Sequence, residues 1–186
     1  MALSDLNLGY QYRPDQGNIV DDFYIPCLAQ SSLYQRAVGY FTSGSLALAA
    51  RGLSEFIRSA DGRMQLVASP VLSFQDLEAL KLGYKAREDV VAQALLRGLR
   101  GTTEDIIRRR LSFLAWLIAE GRLDVKIALL SDEERQGIYH EKIGTFHDSQ
   151  GNIVAFSGSS NETEGGLYSN FEAIEVFASW REGDSV

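Results

Sequence analysis

Apolar and polar positions along this chain repeat with two periods. Residues 34–41, YQRAVGYF, are rich in β-formers and predict a buried strand. The period then lengthens. Leu46, Ala49, Ala50, Leu53, Phe56 and Ile57 recur at helical spacing, with Ser43 or Ser45 placed to cap that helix and Asp61-Gly62 to end it. MQLVAS (64–69) predicts a second strand, ended by Pro70. Residues 74–100 read as helical, broken near Gly83, with Gly98 and Gly101 bracketing a loop. Thr102 and Asp105 resemble a capping box for a helix carrying Ile106, Ile107, Leu111, Leu114, Leu117 and Ile118, stopped at Gly121. DVKIALL (124–130) predicts a third strand. YHEKIGTFHD (139–148) and IVAFSGS (153–159) predict a hairpin around SQGN (149–152), and FEAIEVFASW (171–180) predicts a last strand. Residues 1–30 combine turn signals at Gly9, Pro14-Asp15 and Gly17-Asn18 with a short amphipathic stretch from Ile19 to Leu28. Alternating elements followed by clustered strands predict an α/β architecture, a mixed β-sheet flanked by helices. At 186 residues the chain reads as a single domain, 1–186.

Composition narrows the chemistry more than the fold. Cys27 is the one cysteine, which excludes an internal disulfide framework and an all-Cys zinc site. His140 and His147, the only histidines, leave little room for a His-rich metal centre, and no metal or cofactor is expected. No apolar run approaches the roughly 18–20 residues of a membrane span, and MALSDLNLGYQYRPD lacks a basic region followed by an apolar one. A cytoplasmic protein without membrane association is the expectation.

The net charge of −7 is unevenly spread. Residues 1–130 carry 15 bases against 14 acids, and residues 131–186 carry 3 against 11. A protein that coats nucleic acid is basic overall, and this one is not. Contact with a polyanion therefore needs a local patch, another domain or a partner subunit. The candidate patch is 81–110, with 8 bases against 4 acids, which equally reads as a solvated helix face.

The chemistry-bearing residues follow that acidic turn in composition. In a strand, alternate residues share a face, so His140 and Lys142 project together and Gly144 leaves space beside them. A neutral imidazole can attack phosphorus while a neighbouring ammonium holds phosphate oxygens. The next strand delivers Gly158, Ser159, Ser160 and Asn161: glycine permits close backbone approach, and the rest supply neutral donors to the same oxyanion. Glu172 is placed to accept a bond from the other imidazole nitrogen and fix its orientation.

His140-x-Lys142 followed by Gly158-Ser159-x-Asn161, with an acid about ten positions later at Glu172, resembles the phospholipase D superfamily. The resemblance covers roughly residues 139–180. GTFHDSQGNIVAFSGSSNET followed by NFEAIEVFASW looks closest to nuclease-type domains of restriction enzymes and of the N-termini of DEAD/DEAH-box or Swi2/Snf2 helicase-like proteins. One departure stands out. The family aspartate comes five residues after the lysine, where this chain has His147, and Asp148 follows one later. In the family that aspartate is mainly structural.

The resemblance implies a phospholipase D-like fold and a reaction needing two such motifs, one histidine attacking phosphorus and the other protonating the leaving oxygen. This chain carries one HxK motif, so the resemblance implies a homodimer with His140 facing its copy across a two-fold axis. His140, Lys142, Asn161 and Glu172 are the expected catalytic residues, with Gly158, Ser159 and Ser160 binding substrate. The implied activity is metal-independent DNA phosphodiester cleavage, with a helicase domain as linked or associated partner. The terminus WREGDSV, which has no closing element, reads either as a frayed end or as a point where a longer chain continues. The competing reading is a non-catalytic nucleic-acid-binding or assembly domain that retains the phosphate pocket. A lipid phosphodiesterase ranks last, since no apolar amphipathic surface segment announces a membrane interface. Trp116, Trp180, Tyr10 and Tyr12 read as packing residues, and Cys27 as a small buried hydrophobe.

Overall fold

Among the described residues seven strands, β1 Gln11–Tyr12, β2 Leu33–Val38, β3 Arg63–Ala68, β4 Leu123–Ile127, β5 Lys142–His147, β6 Ile153–Gly158 and β7 Ile174–Ala178, form one mixed sheet in the order β1-β7-β6-β5-β2-β3-β4. The computed structural model describes residues 1–39, 56, 62–69, 117–118, 120–128, 139–159, 172–184 and 186. The helices expected over 46–57, 74–100 and 102–120 fall largely outside these residues, as does the basic window 81–110. β2, β3 and β4 run parallel, and β5 turns antiparallel against β2, followed by the antiparallel β6 and β7. The sequence pattern located six of these strands, with ends shifted by a few residues. β1 was not expected: two residues carry no periodicity of their own, and Gln11 and Tyr12 are strand only because they pair with Glu175 and Ile174.

Alternation explains the sheet's two faces. Tyr34, Arg36 and Val38 of β2, Phe146 of β5, Val154 and Phe156 of β6, and Ile174, Val176 and Ala178 of β7 are all buried on one face. Register lays them out in rows. One row is Tyr34–Phe146–Val154–Ala178, and the next is Arg36–Gly144–Phe156–Val176. Beyond that come Val38 paired with Lys142, and Gly158 paired with Ile174.

The N-terminal helical segment covers this face. A π-helical turn, Val20–Tyr24, runs into α1, Ile25–Gln30, and Pro26, which has no N–H to give, falls at the join. Phe23 meets Phe146 and Phe156 edge-on at 5.7 and 5.2 Å, and Tyr24 does the same to Phe156 at 5.4 Å. Phe146 stacks on Tyr34 at 4.7 Å and on Phe156 at 5.4 Å. Phe56 and Leu117, just ahead of β3 and β4, are fully buried in the same core. Cys27 is buried there too, and burial pushes its thiol pKa up. Tyr12 and Trp180 are packing residues as expected, whereas Tyr10 is exposed with the Arg181 guanidinium 4.5 Å over its ring. At the outer edge, β4 carries Asp124 and Lys126, whose charges lie 3.6 Å apart.

The β5–β6 hairpin is the one expected, and Asp148 organises its turn. Its Oδ1 accepts from the Gln150 and Asn152 N–H groups at 2.9 Å each, and its Oδ2 accepts from Asn152 Nδ2 at 2.8 Å. The Leu3 N–H, 145 positions away in the chain, adds a fourth bond at 2.9 Å. Gly151 takes φ +88°, the left-handed region a glycine enters without strain. Burial alone would raise the Asp148 pKa; the bonds from the Asn152 side chain, Leu3, the Asn152 backbone and Gln150 outweigh it, and the net shift is downward. A depressed folded-state pKa means stabilisation that is present above the ordinary carboxylate range and disappears as pH falls through the folded value. Asp148→Asn is expected to lower stability by about 3 kcal/mol at neutral pH, since an amide cannot accept all four bonds. The gap between wild type and variant should narrow in acid. Urea unfolding of both proteins at neutral and acidic pH measures this.

Candidate phosphate site

One end of the buried sheet face carries Lys142 and Gly158, two of the residues singled out by the sequence. Lys142 opens β5 and is half-buried, and its Nζ reaches the His140 carbonyl at 3.5 Å. His140 is exposed and precedes β5, which corrects the expected strand start at residue 139. Its position is therefore set by the segment leading into β5, not by the ladder. Gly158 closes β6 in the row of Lys142, and Glu172 lies two residues ahead of Ile174, Gly158's partner on β7. Lys142 and Gly158 fall at the same strand ends and, by alternation, on the same side, while His140 and Glu172 lie just outside their strands. Ser160, Asn161 and Asn170 lie outside the described residues.

Each glycine of the motif has a steric reason that differs from the expectation. The space beside Gly144 is not open. A Cβ there would stand 2.5 Å from Phe156 Cζ and 3.0 Å from Arg36 Cδ, so the missing side chain makes room for those two residues. At Gly158 a Cβ would drive into the Ala173 carbonyl and come within 2.9 Å of Ile174 Cα. The close approach it permits is by the neighbouring β7 backbone. Ser159 N donates to the Ala173 carbonyl at 3.1 Å, and Ala173 N donates back to Ser159 Oγ at 3.2 Å. This two-bond clasp ties Ser159 to the start of β7 and leaves the Ser159 hydroxyl proton to donate elsewhere.

His147 sits on the other face, as its odd spacing from His140 implies. Its ring lies 2.9 Å from Thr145 Oγ1, and burial lowers its pKa. A cavity of about 580 Å³ opens on that face, lined by Gln35, Gln65, Ile143, Thr145, Ser157 and Phe177 among others. It is separated by the sheet from His140 and Lys142. Among the described residues, no group of three or more His, Cys, Asp or Glu is arranged to hold a metal, and no helix is long and apolar enough to cross a membrane.

One residue near the site carries no motif. Arg36 is 2% exposed, and its guanidinium carbon lies 4.7 Å over the Phe156 ring, one row below Gly158. The signal for it is a charged residue at an inward position of an otherwise apolar strand, between Tyr34 and Val38.

No family model matches the chain, and no curated protein matches it. Among solved structures, it is similar to NucT from Helicobacter pylori, with a TM-score of 0.48 and 14% identity over 89% of this chain and 82% of that one. It is also similar to yeast tyrosyl-DNA phosphodiesterase, with a TM-score of 0.43 and 9% identity over 80% of this chain and 26% of that one.

Proposed function

We propose that the chain is a single phospholipase D-like domain that cleaves DNA phosphodiesters without a metal, at a site built across a homodimer interface. The observation carrying this reading is that Lys142 and Gly158 stand at one end of the buried sheet face, with His140 two residues before Lys142 and Glu172 two before Ile174, the partner of Gly158. One His140 imidazole attacks phosphorus, and the bond to the leaving oxygen breaks as the partner copy's imidazolium gives that oxygen a proton. Water then attacks the phosphohistidine, its proton passes to the partner imidazole, and the P–N bond breaks. Lys142, the Ser159 hydroxyl and Asn161 bind the non-bridging oxygens, and Glu172 orients the imidazole. A helicase-like domain is the partner we propose, linked or associated, as the source of a basic path to an acidic site.

Plasmid cleavage in EDTA by the wild type and by His140→Ala tests the activity, and light scattering tests the dimer. Equal cleavage by both proteins, or a strictly monomeric active protein, removes the reading. Because one imidazole must start neutral and the other protonated, the rate is expected to rise and then fall with pH. A flat profile across the neutral range argues against paired imidazoles. A second reading, a phosphate-binding module without turnover, is favoured by one observation: His140 stands outside the ladder that holds Lys142. It predicts a DNA gel shift that survives His140→Ala.

A further inference from the structure

We infer that Arg36 is a positioning residue of this site: a buried cation whose charge acts through the Gly158–Ser159 turn on a phosphate bound there. The inference rests on the proposed phosphate chemistry and adds a residue that no motif contains. Three observations carry it. Arg36 lies on the same face as Lys142 and Gly158, in the row immediately below them, and successive rows on a strand are roughly 6.6 Å apart. Its side chain does not rise along its own strand. It crosses β5 over Gly144, whose missing Cβ is what admits Arg36 Cδ, and ends on the Phe156 ring of β6. Phe156 is packed in turn against Phe23, Tyr24 and Phe146, so the guanidinium rests on a close-packed aromatic floor one row below Gly158 at the strand end.

Buried ionic groups exchanged for apolar ones of similar size are often neutral or stabilising. A phosphate site inside a segment with eight excess negative charges, in contrast, needs a positive charge that solvent does not screen. A buried arginine keeps its charge at any working pH, and the low dielectric around it lets the field reach the row above.

The test uses the full chain, inorganic phosphate as the probe, and Arg36→Met, Arg36→Gln and Arg36→Lys. Phosphate affinity is read from the shift in melting temperature, and kcat and KM from DNA cleavage. With far-UV circular dichroism unchanged, Arg36→Met and Arg36→Gln are expected to weaken phosphate binding about ten-fold and to lower kcat/KM by at least as much. Arg36→Lys, which keeps the charge, should recover most of both. Neutral variants that bind phosphate and cleave like wild type overturn the inference, as does a lysine variant no better than methionine. Failure of both neutral variants to fold makes Arg36 a core residue and overturns it too. A wild type that neither binds phosphate nor cleaves DNA removes the phosphodiesterase reading itself, whereas phosphate binding indifferent to residue 36 removes only this inference.

Discussion

His140→Ala should leave a folded protein whose DNA cleavage in EDTA falls by about 10³-fold or more, the usual consequence of removing a nucleophile. Folding should survive because the residue is exposed, precedes β5, and takes no part in the sheet ladder. The dimer makes a sharper version of the experiment. If each site needs an imidazole from both copies, an equal mixture of wild type and His140→Ala, unfolded and refolded together, should show about one quarter of the wild-type rate, because only pairs of wild-type chains are active. Independent sites would give about one half. The ratio, read from initial rates at constant total protein, decides between a shared site and two separate ones. A residual rate close to wild type in the pure variant would leave the imidazole without a chemical role.

Phe146→Ala is expected to produce the largest loss of stability. Its ring is fully buried, stacks on Tyr34 and Phe156, and receives the edges of Phe23 and Tyr24. Truncation opens a cavity between the sheet and the π-helical turn that a β-sheet backbone cannot close, with an expected destabilisation of about 3–5 kcal/mol. In a chain of this size that corresponds to a melting temperature lowered by roughly 8–15 °C. Calorimetry on the purified variant measures it, and a shift of only a degree or two would mean that the aromatic stack is not the keystone of the core.

The hairpin and six of the seven described strands were legible in the sequence because they rest on local pattern. Alternation in YQRAVGYF and IVAFSGS encodes burial directly. What escaped depends on contacts between distant segments. Gly144 and Gly158 looked like openings toward a ligand, yet each makes way for protein atoms, Phe156 and Arg36 in one case and the Ala173 carbonyl in the other. Nothing near position 144 announces that Arg36 crosses over it, because the register of β2 on β5 joins residues 108 apart. The pairing of β1 with β7 is hidden for the same reason. Asp148, out of step with the family spacing, found its role in the turn and in the bond to Leu3, which the local pattern cannot express.

The aromatic contacts between Phe23 or Tyr24 and Phe146 or Phe156 also bear on how this polypeptide leaves the ribosome. The amphipathic segment at residues 20–30 is synthesised first, but the surface it must cover is not complete until the hairpin emerges more than a hundred residues later. During that interval the nascent chain displays greasy rings with no cover, an open invitation to holdase chaperones or to neighbouring nascent chains. Chains cut short before residue 156 should therefore aggregate, and the native state should form in a single late step governed by long-range closure.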